Sequence, residues 1–287
     1  MLAALRQHWP EYLIEAAGLG TFMISACVFT VLLMHPALPA AHWLIAPVWR
    51  RALIGIAMGL TAITLIYSPW GKRSGAHFNP SVTIAFFRLG KITFADTFFY
   101  VVAQFAGAVA GVLISTVFLS PWISDARVNY AITSPGPRGA GLALVSEFTI
   151  SFSLMTVVLV FSNNKKLARF TGIFAGFLVA AYITLEAPLS GMSMNPARSF
   201  GSALSAHVWK GWWIYFTAPP LGMLAATVTY IKLAGAHSVK CAKLNHGAKE
   251  RCIFRCGYRR SVLESSPEQC RELQSGKPST KEAMFQM

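Results

Sequence analysis

Charge is scarce in this chain. Only 13% of its 287 residues are Asp, Glu, Lys or Arg, against about 25% in a soluble protein. Acidic residues are the rarest, 11 against 25 Lys and Arg. The sequence also lacks a phosphate-binding glycine loop, a nucleophile elbow and a familiar metal-ligand spacing, so no enzyme, cofactor or metal is expected. Of five cysteines, Cys27 lies inside an apolar run and reads as a small packed hydrophobe. Cys241, Cys252, Cys256 and Cys270 fall in a basic tail, with ten, three and thirteen residues between them. That spacing fits no zinc framework and predicts reduced thiols on a cytosolic face. The first apolar run, Tyr12–Met34, lacks a small-residue cleavage site and reads as a retained helix.

What remains is apolar. Hydrophobic residues make up 54% of the chain and its mean hydropathy is +0.50. The net charge of +14 could point to nucleic acid, but its distribution does not. Residues 232–287 hold eleven Lys/Arg against five Asp/Glu, and most other cations flank apolar runs. No nucleic-acid partner is expected.

Six runs are long enough to span a bilayer as helices: Tyr12–Met34, Ala52–Pro69, Phe94–Leu119, Leu142–Phe161, Phe170–Pro188 and Trp212–Leu233. Residues 1–11 precede them. Residues 234–287 have no hydrophobic period and are expected to be a largely disordered cytoplasmic tail. An even number of spans puts both termini on one face. With that face inside, the loops and N-terminus hold eight Lys/Arg against six outside, and the tail adds eleven. Both termini are therefore expected in the cytoplasm, in an integral protein of the plasma (inner) membrane.

Two connectors are too apolar for solvent loops. One contains Ser74-Gly75-Ala76-His77-Phe78-Asn79-Pro80-Ser81, the other Gly191-Met192-Ser193-Met194-Asn195-Pro196-Ala197-Arg198. Asn caps a helix, and Pro suits the first helical position because its missing N–H would go unpaired there. Short helices are predicted from Asn79 and Asn195. Non-helical backbone at membrane depth is tolerated where it lines a water-filled cavity. Each connector therefore reads as a re-entrant loop, entering as extended chain and returning as a half-helix. Glu15 and Glu147 stand early in spans one and four and must face the interior. The halves 12–119 and 142–233 thus match as an inverted repeat. The fold expected is an all-α membrane protein of six spanning helices and two re-entrant half-helices.

The double Asn-Pro box, the Ser-Gly-Ala-His before the first box and the paired Glu make residues 12–233 resemble the aquaporin (major intrinsic protein) family. The resemblance implies a homotetramer in the lipid bilayer, each copy conducting water or a small neutral solute. It implies a pore centre at Asn79, Pro80, Asn195 and Pro196. Backbone carbonyls of Gly75, Ala76, His77, Phe78, Gly191, Met192, Ser193 and Met194 would line the pore. Glu15 and Glu147 would brace the loops. The family's selectivity filter falls on Met58, Ile183, Met192 and Arg198, an unusually apolar ring with one strong donor. The implied activity is a passive water channel that excludes protons and ions. A channel for glycerol, ammonia or hydrogen peroxide is the alternative, and an ion-coupled secondary transporter the reading of a different class.

Overall fold

The computed structural model describes residues 1–246 and 251–258. Its helices are α1 (Leu2–Met34), α2 (Pro39–Trp43), α3 (Pro47–Tyr67), α4 (Pro69–Ser74), α5 (Pro80–Arg88), α6 (Phe94–Leu119), α7 (Ala140–Asn163), α8 (Thr171–Leu185), α9 (Ala187–Ser190), α10 (Pro196–Ala206) and α11 (Trp212–Ala234). Six of them, α1, α3, α6, α7, α8 and α11, are long and apolar enough to cross a bilayer. Val117, Phe118, Phe177 and Leu221 stand exposed on their outer sides, where lipid would meet them. The two short helices predicted from the Asn-Pro steps are α5 and α10.

Small residues set the packing. A Cβ on Gly107 would lie 2.1 Å from Ala16 O, and one on Gly111 2.4 Å from Gly20 O. No larger side chain fits where α1 and α6 cross. The matching pair in the second half is α7 with α11, where Gly222 meets Phe148 O. Between the halves, Gly55 and Gly59 of α3 approach Ala180 and Gly176 of α8 just as closely.

Helix α1 begins ten residues before the apolar run, because polar contacts rather than hydropathy hold its first turns. Asp96, buried at the start of α6, takes His8 Nδ1 at 2.6 Å and the Tyr12 hydroxyl at 2.7 Å. Arg73 pairs with buried Glu11 at 3.0 Å. Helix α8 stops at Leu185, three residues short of the apolar run's end. The chain there turns into α9 through Glu186.

The face carrying the N-terminus, the α3–α6 connector and the end of α11 is here the terminal face. Tail residues 236–246 and 251–258 pack against it, contrary to the expectation of a tail without packed structure. Their contacts are hydrogen bonds, ring stacks and the buried Cys241, Ala242, Leu244 and Phe254, whose spacing makes no hydrophobic period to read. Residues 259–287, with Cys270, lie outside the described residues.

Candidate functional site

The two re-entrant loops are built on one plan. Asn79 Oδ1 caps α5 by accepting from Ser81 N at 2.8 Å. Asn195 Oδ1 caps α10 by accepting from Ala197 N and Arg198 N at 3.1 and 3.2 Å. The arms leading to these caps are not simply extended. Gly75, Ala76 and Phe78 have positive φ of 99°, 57° and 46°; Gly191, Met192 and Met194 have 83°, 53° and 54°. Only the glycines adopt this region freely. Each other residue there costs about 1–3 kcal/mol, so the surroundings must over-determine the loop.

Two buried carboxylates do that. Glu15 accepts from Ser74 Oγ at 2.7 Å, His77 N at 3.1 Å, Phe78 N at 2.6 Å and Gln104 Nε2 at 2.9 Å. Glu147 accepts from Ser190 Oγ at 2.7 Å, Ser193 N at 2.6 Å and Met194 N at 2.8 Å. Tyr100 donates to Ser74 O at 2.7 Å, and Tyr215 donates to Ser190 O. Ser74 and Ser190, Tyr100 and Tyr215 are thus matched braces. The sequence reading assigned none of the four a bracing role. The signal was available: each Ser precedes the loop glycine by one residue.

The loops also hold each other. Asn79 Nδ2 donates to Met194 O at 2.7 Å and Asn195 Nδ2 to Phe78 O at 2.8 Å. Neither amide group is therefore wholly free to donate into the pore. The left-handed backbone at Phe78 and Met194 turns each carbonyl to the opposite loop, where it takes one of the two amide hydrogens. The other remains available.

One cavity of about 330 Å³ runs past this centre. Met58, Ile183, Met192 and Arg198 all line it, as do Asn79, Asn195, Ala76, His77, Phe78, Gly191, Ser193 and Met194. Pro80 and Pro196 are buried as first residues of the half-helices. Gly75 is not part of the wall. Its carbonyl accepts from Leu244 N at 3.1 Å, so it is withdrawn from the expected ladder. Phe78 and Met194 already accept from the Asn amides, which leaves Ala76, His77, Gly191, Met192 and Ser193 as the carbonyl candidates. The rest of the wall is mostly apolar, including Phe22, Ile54, Leu154 and Val179. Toward the face opposite the termini it gains Arg51 and Arg127, neither of which the sequence reading placed there. Arg51 Nε donates to Thr184 O at 3.1 Å, while Arg198 Nη1 is buried without a hydrogen-bond partner among the described residues.

At the terminal face the wall includes Leu244 of the tail. His77 anchors this cover. Its Nε2 lies 2.8 Å from Ala242 O, its Nδ1 3.1 Å from Thr83 Oγ1, and its ring stacks between Phe86 and Phe254. Cys241, His246, Cys252 and Cys256 converge in the same segment. The cysteine spacing alone hid this, since the fourth member is a histidine.

Residues 7–230 match the family model described as Major intrinsic protein. The chain belongs to the major intrinsic protein family. Aquaporin NIP1-1 of Arabidopsis thaliana is 38% identical over 181 residues, covering 62% of this chain and 60% of that protein. The probable NIP-type aquaporin of Nicotiana alata is 34% identical over 180 residues, 62% and 64% of the two chains. The chain thus spans about three-fifths of the length of these curated relatives. Aquaporin NIP2-1 of Zea mays is 34% identical over 223 residues, 76% of this chain and 73% of that protein. The fold is also that of the aquaglyceroporin from Plasmodium falciparum. That match has a TM-score of 0.68 at 19% identity, covering 81% of this chain and 99% of the other.

Proposed function

We propose that the chain is a passive channel for water, driven by osmotic gradients and closed to ions and protons. The observation that carries the reading is the crossed pair Asn79 and Asn195, capping two opposed half-helices beside one continuous cavity. Each half-helix directs its positive end, equivalent to about half a charge, at the same point. A cation or hydronium meets a barrier there and neutral water does not, the known behaviour of aquaporin-type half-helices. The free amide hydrogens hold a water through its oxygen, so its own hydrogens point away along the pore. Arg198, with Arg51 and Arg127 on the same wall, adds positive charge toward one mouth.

The apolar wall favours a second reading, a pore for glycerol or another small neutral solute such as ammonia or hydrogen peroxide. Met58, Ile183 and Met192 offer no hydrogen bond to replace water's. Flexible Met side chains adapt to a larger guest. Membership of the family speaks against the ion-coupled transporter. The terminal face is assigned to the cytoplasm of a plasma membrane on the loop charges, and four copies are expected to assemble.

Stopped-flow light scattering on proteoliposomes tests the reading, first with an impermeant osmolyte and then with glycerol. Water flux well above that of empty vesicles is expected. Flux equal to empty vesicles overturns the water channel, and rapid re-swelling in glycerol promotes the second reading. Native mass spectrometry of the detergent-extracted protein checks the tetramer.

A further inference from the structure

Four metal-binding side chains meet outside the pore. Cys241, His246, Cys252 and Cys256 each bring one ligand atom to a group whose members all lie within 4.8 Å of one another. Cys241 Sγ and Cys252 Sγ are 3.5 Å apart, and His246 Nε2 is 3.1 Å from Cys256 Sγ. In a tetrahedral zinc site with Zn–S of about 2.3 Å, neighbouring ligand atoms stand roughly 3.5–3.8 Å apart. The group is already close to that size. It is not a disulfide, which needs about 2.05 Å between sulfurs; the three thiols are free.

The surrounding chain gives the group a task. Residues 239–246 and 251–257 contain no helix or strand, yet Cys241, Ala242, Leu244 and Phe254 are buried. The segment makes two arms. The first touches the protein through Lys240 N to Asn163 Oδ1 at 2.8 Å, Leu244 N to Gly75 O, and Ala242 O to His77. The second does so through Arg251 to Gln7 O at 3.0 Å, Arg255 N to Lys91 O at 2.9 Å, and Phe254 on His77. Cys241 and His246 belong to the first arm, Cys252 and Cys256 to the second.

We propose that Cys241, His246, Cys252 and Cys256 bind one Zn²⁺ in a closed Cys₃His site that fastens the two arms over the pore's terminal mouth. Three thiols and an imidazole are a soft-to-borderline set that selects zinc over hard cations. Four protein ligands leave no position open for a substrate, so the site is structural. Zinc with three thiolates carries a net charge of −1, and Lys240, Lys243, Arg251 and Arg255 offset it. Metal binding here supplies the ordering free energy that a coil without a ladder cannot supply alone.

The test uses the full chain, purified in detergent through an affinity tag without histidine, under reducing conditions. Elemental analysis should find about one zinc per chain. His246→Ala and Cys252→Ser should each lose it, while Cys270→Ser should keep it. Replacement by Co²⁺ should give the strong visible bands of a tetrahedral thiolate site. A chelator should speed proteolysis within the tail at least tenfold, and added Zn²⁺ should reverse that. A wild-type chain that binds no zinc when supplied with it, or a Cys252→Ser chain that keeps its metal, overturns the site. Metal loss in Cys270→Ser overturns this ligand set. Cleavage indifferent to the chelator overturns the fastening. None of these readouts depends on transport.

Discussion

The two re-entrant loops share their braces and differ in what lies against them. Glu15 and Glu147, Ser74 and Ser190, Tyr100 and Tyr215 repeat each other's bonds, except that Glu15 accepts one more, from Gln104. Beyond the braces the likeness ends. The first loop has His77 and Gly75 bound to the tail. The second has Ser193 in contact with Ser199, which reaches Thr133, and carries Arg198 into the cavity. Symmetry is kept where two helix ends must meet at one point. It is given up at the mouths, where one side carries Arg198, Arg51 and Arg127 and the other is packed against the tail.

The braces are the place to break the comparison. Glu15→Ala strips an acceptor from four donors and Glu147→Ala from three. Each buried donor left unpaired costs about 1–3 kcal/mol. Both variants should lose about 3–5 kcal/mol or fail to fold, with Glu15→Ala the worse, as read by thermal unfolding in detergent.

Glu186, at the second loop alone, offers the next effect. It is buried, and that burial raises its pKa from 4.5 to about 7; Ser190 nearby works against the rise and Glu147 adds a smaller part to it. A carboxyl whose pKa is raised by folding favours the protonated form. Its folded state loses stability as pH climbs from 4.5 toward 7. Glu186→Gln should flatten that slope and stabilise the fold at neutral pH by on the order of 2 kcal/mol, read as a higher melting temperature.

Arg198→Val tests whether the second loop carries the charge barrier. Cation leak into liposomes should rise about tenfold, the effect of roughly 1.4 kcal/mol, held to that by Arg51 and Arg127. An unchanged leak would move the barrier to those two residues or to the half-helix ends. The smallest effect belongs to Ser81, whose buried hydroxyl has no partner among the described residues. Ser81→Ala should leave stability within about 0.5 kcal/mol, while the same change at the brace Ser74 should cost at least about 1 kcal/mol.

Much of this was legible beforehand. Spans follow from runs of apolar residues, and half-helix starts from Asn before Pro. Both are local properties that a membrane amplifies, because unpaired backbone and stray charge are so costly in it. The first ten residues of α1 were not legible, since Asp96 and Arg73 hold them from far along the chain. Nor was the withdrawal of the Gly75 carbonyl, which depends on Leu244. Nor was the packed tail, whose buried residues, hydrogen bonds and thiols are spread along an irregular coil with no helical or strand period.

By itself the sequence determined the class of the molecule: six spans, two opposed half-helices, paired carboxylates and an Arg-bearing second box. These rest on composition and on spacings of a few residues, where the physics is local. Tertiary structure alone decided that each Asn amide crosses to the other loop, that three arginines share one cavity wall, and that Cys241, His246, Cys252 and Cys256 come together. The first two join residues far apart in the chain, at distances that only the packing of one helix against another sets. The third joins residues of one irregular segment, brought together by its docking on the terminal face rather than by any helical or strand period.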